Sequence, residues 1–128
     1  MEVDDIYREN IIDHYKNPRH FGKLENPTVS HEEVNSLCGD RIGMDLMIEN
    51  DQLVDAQFTG VGCAVSMASA SMLMEKIVNL NIDQAENVTK KEVVENLGIP
   101  MSPTRLKCAL LPWEVLQKAL QKYQINKL

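Results

Sequence analysis

The chain has 128 residues, a formal net charge of −6 and an apolar fraction of 44%. That length predicts one domain, 1–128, with a core of its own. The acidity argues against a nucleic-acid partner, and no stretch approaches the roughly 20 apolar residues of a membrane-crossing helix. The N-terminus, MEVDDIYREN, is acidic and lacks an apolar signal core, so a cytoplasmic setting is expected. Three scattered cysteines without a secretory signal are expected to be reduced thiols rather than disulfides.

Residues 4–16 read as an amphipathic helix. Asp4 or Asp5 is expected as its cap, Ile6, Tyr7, Ile11 and Tyr15 as its apolar face, and NPRHFG as its stop. Residues 23–36 are polar, with a short strand expected before Cys38. RIGMDLMIE, 41–49, alternates with Ile42, Met44, Leu46 and Ile48 on one side. NDQ turns the chain, and 53–59 alternates again, with Val54, Ala56 and Phe58 expected inward. GVG then reads as a flexible break.

Residues 64–79 have helical character, with a stripe of Ala68, Ser69, Met72, Leu73 and Ile77. The methionines Met67, Met72 and Met74 read as core. Small residues in this segment permit close packing. TKKE, 89–92, is a capping-box pattern for a short helix closed by Gly98. Ser102 and Pro103 look like a helix start. Pro112 is expected to interrupt it, so that a longer helix runs from about 112 to 124 on Trp113, Leu116, Ala119, Leu120 and Tyr123. Strands followed by helices predict an α+β fold, a small antiparallel sheet with helices packed on it.

The three cysteines all fall at expected element boundaries. Cys38 lies in SLCGD before the first clear strand, Cys63 in TGVGCAVS at a helix start, and Cys108 in RLKCALLPW before the last helix. A helix N-terminus favours a thiolate at Cys63. A CGD turn can aim the Cys38 sulfur and the Asp40 carboxylate at one point. Arg105 and Lys107 are expected to tune Cys108 electrostatically, favouring its thiolate. Three thiols and a carboxylate form a four-ligand set suited to zinc or iron–sulfur chemistry. The competing reading of any one cysteine is a small core hydrophobe. His14, His20 and His31 read as surface residues.

YRENIIDHYKNPRHFG, CGD, TGVGCAVSMASAS and RLKCALLPW, in this order, resemble the iron–sulfur cluster assembly family that comprises IscU, the NifU N-terminal domain and SufU. The resemblance runs from Tyr7 to Tyr123. It implies a three-stranded sheet with helices on one face, and a metal site of Cys38, Asp40, Cys63 and Cys108. It also implies sulfur received as a persulfide from a pyridoxal-phosphate (PLP) cysteine desulfurase. Cys38 is the implied acceptor in the SufU mode and Cys108 in the scaffold mode.

The same site in such proteins carries zinc (Zn2+), held for sulfur transfer, or a [2Fe–2S] cluster, built and passed to a carrier or apo-protein. In the zinc mode a desulfurase side chain is implied to displace one cysteine from the metal. Lys107 stands where IscU-type members have histidine, and a lysine ammonium offers no lone pair. Met101–Arg105 replaces the Leu-Pro-Pro-Val-Lys segment read by the IscU-type chaperone. Both departures resemble SufU. The spacing of Cys63 and Cys108 lacks the SufU insertion and resembles IscU. The SufU-type zinc-dependent sulfurtransferase is therefore the expected function, with the IscU-type scaffold as the alternative.

Overall fold

The structure, a computed structural model, describes residues 3–127 and the side chains from residue 7 onward. Its elements in chain order are α1 (Val3–Lys16), β1 (Val29–Asn35), β2 (Asp40–Glu49), β3 (Gln52–Val61), α2 (Ala64–Ile77), α3 (Ile82–Glu86), α4 (Lys90–Leu97) and α5 (Pro103–Lys127). The strands form one antiparallel sheet in the order β1-β2-β3. Helices α2 and α5 pack on it, α5 against β1 and β2 and α2 against β3, while α1 packs on α2.

The alternation of β2 holds: Ile42, Met44, Leu46 and Ile48 are all buried under the helices. Its hairpin partner departs from the expected alternation. Val54 is 39% exposed and Leu53 is fully buried. The register explains the change, because Met47 pairs with Asp55 but Ile48 pairs with Leu53, which leaves Val54 as a bulged residue. One inserted residue exchanges the faces of everything beyond it. The turn between these strands has positive φ at both Asn50 (53°) and Asp51 (59°), the twist that a tight two-residue hairpin needs.

Helix α1 already runs through Asp4 and Asp5, so neither is its cap. Its inward face carries Ile11 and His14, whereas Tyr15 is exposed. The Tyr7 ring lies where a side chain on Gly98 would have to go. Ile6 lies outside the described side chains. After α1 the chain adds a rung to the outer edge of β3. The Gly22 N–H donates to the Phe58 carbonyl at 2.9 Å, and the Phe58 N–H donates to the His20 carbonyl at 2.8 Å.

Helix α2 is more deeply buried than one stripe predicts. Ser66, Met67, Ala68, Ser69, Ala70, Ser71, Leu73 and Met74 are all buried, since α1, α5 and the sheet enclose it. Met72 is half-buried. The Thr89 hydroxyl caps α4 by accepting the Glu92 N–H, and Gly98 closes it in the left-handed region at φ 69°. The short α3 between them has an Asn81–Gln84 capping box that the hydrophobic pattern did not signal.

The largest departure is α5. Pro112 does not start a new helix; it lies buried inside a single helix of 25 residues. A proline removes one rung of the helix, here the bond to the Cys108 carbonyl four residues back. Packing replaces the loss. The Ser69 hydroxyl of α2 donates to the next carbonyl, Ala109, at 2.7 Å, and Ala109, Leu111, Val115 and Leu116 are buried on either side. Cys108 is thus an interior helix residue rather than a boundary residue.

Candidate metal and sulfur site

Two local devices build the first half of the site. Gly39 adopts φ +74° and donates its N–H to the Asn35 carbonyl at 2.8 Å, turning the chain between Cys38 and Asp40. That conformation is strained for any residue with a Cβ. Cys38 is left exposed on the turn, and Asp40, the first residue of β2, is 4% exposed.

Gly62 supplies the second device. A Cβ there would collide with the Ser66 hydroxyl and lie 3.2 Å from the Asp40 carboxyl carbon. The GVG segment therefore serves close approach rather than flexibility, and Gly60 and Val61 still belong to β3. Cys63 follows as the N-cap of α2, with no cap bond from its own side chain. Its N–H instead donates to Asp40 Oδ1 at 3.2 Å.

Helix α5 delivers Cys108, 3% exposed, to the same point. Its sulfur is 3.3 Å from that of Cys38. Ligand atoms of Cys38, Asp40 and Cys108 all lie within 4.8 Å of one another. Cys63 is not part of this compact trio. Its sulfur meets Asp40 Oδ2 at 3.7 Å and Ser66 Oγ at 3.8 Å. Ser66, which also donates to the Cys63 carbonyl at 3.1 Å, is a site residue that sequence reading took only for a small packing residue. Its position one helical turn after Cys63 was the available signal.

This donor set fits a thiophilic metal. A tetrahedral zinc with Zn–S of about 2.3 Å has sulfur–sulfur edges near 3.8 Å. The Cys38–Cys108 sulfur pair, at 3.3 Å, lies about 0.5 Å inside that edge, and the Cys63 sulfur is 3.7 Å from an Asp40 oxygen. Burial opposes ionisation of Asp40. Hydrogen bonds from Cys108, Cys38, the Cys63 N–H and Ser66 outweigh it and hold the carboxyl below its ordinary range. Cys108 moves the other way. Burial above all, then Cys38 and Asp40 facing it, push its thiol well up without a metal. Arg105 and Lys107 were expected to do the opposite, but both are exposed and neither offsets the burial.

Arg105 lines a cleft of about 490 Å³ with Cys38, Cys63 and Cys108, floored by Ile11, Ile12, Val65 and Ile99. Arg8 of α1 lines it too, a contribution the sequence did not announce. Lys107 faces a separate groove with Val34, Leu37 and Glu114. Of the histidines expected at the surface, His14 is buried at 6% exposure and bonded through Nδ1 to Ser71 Oγ at 2.7 Å, because α1 lies on α2 there. His31 pairs with Glu33 at 2.9 Å beneath α5. Neither approaches the cysteines.

Comparison with known proteins places this geometry. The NifU-like N terminal domain model matches residues 6–128. The zinc-dependent sulfurtransferase SufU of Bacillus subtilis is 37% identical, over 94% of this chain and 92% of its own. The iron–sulfur cluster assembly scaffold protein IscU of Thermotoga maritima is 35% identical, over 91% of this chain and 94% of its own. Those alignments run over 137 and 133 positions, longer than this chain, so both relatives carry residues with no counterpart here. Length therefore does not separate the two kinds.

A crystal structure of a putative iron–sulfur cluster assembly scaffold protein for the SUF system, from Fervidobacterium islandicum, superposes with a TM-score of 0.75. It is 31% identical and covers 93% of this chain and 99% of that one. Among the described residues, no helix is long and apolar enough to cross a membrane. A three-stranded antiparallel sheet under helices, with two cysteines and an aspartate gathered at one end, belongs with these relatives. The chain is a member of the NifU-like N-terminal domain family, the iron–sulfur cluster assembly proteins that include SufU and IscU.

Proposed function

We propose that the protein is a zinc-dependent sulfur acceptor of the SufU kind, working with a PLP-dependent cysteine desulfurase. The observation that carries this reading is the donor set. Cys38, Asp40 and Cys108 gather three donors with the Cys63 sulfur beside Asp40 as a fourth, no histidine is among them, and Lys107, in the place before the last cysteine, is exposed and faces another groove. Zinc on these four residues would keep the thiols ionised at neutral pH, against the burial that raises Cys108.

The chain's own part in the reaction is sulfur acceptance. The Cys38 thiolate attacks the outer sulfur of the desulfurase persulfide. That sulfur–sulfur bond breaks, a new one forms on Cys38, and the desulfurase cysteine leaves as thiolate. Exposure disfavours Cys108, which is buried; of the two exposed cysteines, Cys63 has its sulfur against Asp40 and Ser66, which leaves Cys38 for this role. Arg105 and Arg8 line the approach and favour an anionic persulfide.

The second reading is a scaffold on which a [2Fe–2S] cluster is the cargo, destined for a carrier or apo-protein. The convergence of Cys38 and Cys108 beside a more weakly held carboxylate favours it. Metal analysis and an absorbance spectrum of protein purified without oxygen separate the two. Zinc in each chain, together with stimulation of a desulfurase, is the expected result. A stable coloured cluster without zinc, transferable to an apo-ferredoxin, would overturn the first reading in favour of the second.

A further inference from the structure

We propose that Cys38 and Cys108 form a dithiol pair, in which Cys38 meets an incoming sulfur electrophile, Cys108 resolves it, and Cys63 takes no part. Three cysteines allow three pairings, and the structure prefers one. The Cys38 and Cys108 sulfurs are 3.3 Å apart. Closing to a disulfide of about 2.05 Å needs a shift of about 1.2 Å. Cys63 is engaged otherwise, its sulfur against Asp40 and Ser66.

Accessibility sets the order of events. Cys38 and Cys63 are both exposed and Cys108 is buried, so a bulky reagent reaches Cys38 before Cys108, and an adduct on Cys38 is the one with another sulfur 3.3 Å away. Take a small disulfide, RSSR, as the electrophile. Cys38 attacks one sulfur of the reagent, the S–S bond of the reagent breaks as the new one to Cys38 forms, and the first RS⁻ leaves. Cys108 then attacks the Cys38 sulfur, and the second RS group leaves with the Cys108 proton as RSH. The chain has lost two electrons to the reagent, and no other oxidant enters.

A consequence follows for sulfur handling, and it rests on the sulfur-acceptor reading. With a persulfide on Cys38, attack by Cys108 at the inner sulfur forms the Cys38–Cys108 disulfide and releases hydrosulfide. The two thiols supply both electrons that reduce the sulfane sulfur, so release needs no external reductant until the disulfide is reopened.

The test uses the full chain, treated with a chelator and exposed to glutathione disulfide under argon, with peptide mapping by mass spectrometry. The expected product is a Cys38–Cys108 linked peptide with no glutathione left on Cys38. Glutathione retained on Cys38 in the wild type, or a link through Cys63, overturns the proposal. Cys108→Ser is expected to stop with glutathione on Cys38, while Cys63→Ser still closes. The wild-type map decides the question even if a variant folds poorly. In a parallel arm, a desulfurase and cysteine load the protein without reductant, and released sulfide is measured. No persulfide on any cysteine in that arm counts against the sulfur-acceptor reading alone; the glutathione map still decides the pair.

Discussion

The backbone N–H of Cys63 donates to the Asp40 carboxylate at 3.2 Å, so a residue that opens β2 caps the helix that Cys63 begins. The first N–H groups of a helix have no partner within it, and a negative charge there is stabilising. Asp40 thereby joins two tasks. It fixes the N-terminus of α2 in place, and its carboxylate stands with Cys38 and Cys108 at the candidate metal site.

Asp40→Ala removes a proposed ligand and a cap together. Zinc affinity is expected to fall by at least about tenfold, since even outer partners of metal ligands are worth roughly 10–100-fold. Melting of the chelated protein should also fall, by the equivalent of about 1 kcal/mol for the lost cap. Competition against a chromophoric chelator measures the first effect and a thermal melt the second. If the aspartate instead labilises a cluster, the same variant holds its metal more firmly.

Gly62→Ala places a methyl group against Ser66 Oγ and the Asp40 carboxyl. Either α2 or the start of β2 must give way. A stability loss of about 1–3 kcal/mol is expected, as for other overpacked sites. Zinc content should fall with it, because both elements carry ligands. Wild-type zinc content and denaturant midpoint in this variant would show that Gly62 has no role in bringing Asp40 and Cys63 together.

His14 gives the protein a definite pH dependence. Burial first, then the charge of Arg19, lowers its pKa from the ordinary 6.5. Ser71 Oγ accepts the Arg19 N–H at 2.8 Å and lies 2.7 Å from His14 Nδ1, and burial favours the neutral ring. The unfolded chain therefore takes up this proton before the folded chain does. Stability falls as pH drops below about 6.5, and this contribution levels off only below the folded pKa. In His14→Gln the decline between pH 7 and pH 5 should be shallower than in the wild type. Urea unfolding at both pH values checks it; identical slopes would refute the assignment.

Lys107→Ala tests whether the charge beside Cys108 matters. The lysine is exposed and faces the groove of Val34, Leu37 and Glu114, and exposed charges contribute little through water. Zinc affinity and thiol reactivity are expected to stay within about threefold of wild type. Arg105→Ala, on the cysteine cleft, is expected to slow sulfur acceptance and to reduce its sensitivity to salt. If Lys107 gives the larger effect, the assignment of the two side chains is reversed.

Much of the fold was legible because sheets and helices have distinct periods. The alternation of β2, the Thr89 cap and the Gly98 stop needed only local pattern. Three features did not. The bulge at Val54 shifts the register within one strand, and whether Leu53 or Val54 turns inward depends on how β3 meets Ile48. Pro112 breaks helices locally, yet here α5 continues, because buried residues on either side of it pack against α2 and the sheet. His14 looked like a surface residue on a short amphipathic helix, and only the seat of α1 on α2 buries it.

For the site the division is similar. Residue chemistry by itself named the candidate donors: three soft thiols and one carboxylate in a glycine turn, beside a lysine with no lone pair to offer. Tertiary structure decided which donors meet. It brings Cys108 from the middle of α5 against Cys38, sets Cys63 apart beside Asp40, and turns Lys107 away from Arg105. The cause is physical. Chain pattern dictates how each segment coils, but the distance between residues remote in sequence is set by how buried faces pack, and packing here joins a β-turn, a helix start and a helix interior at a single point.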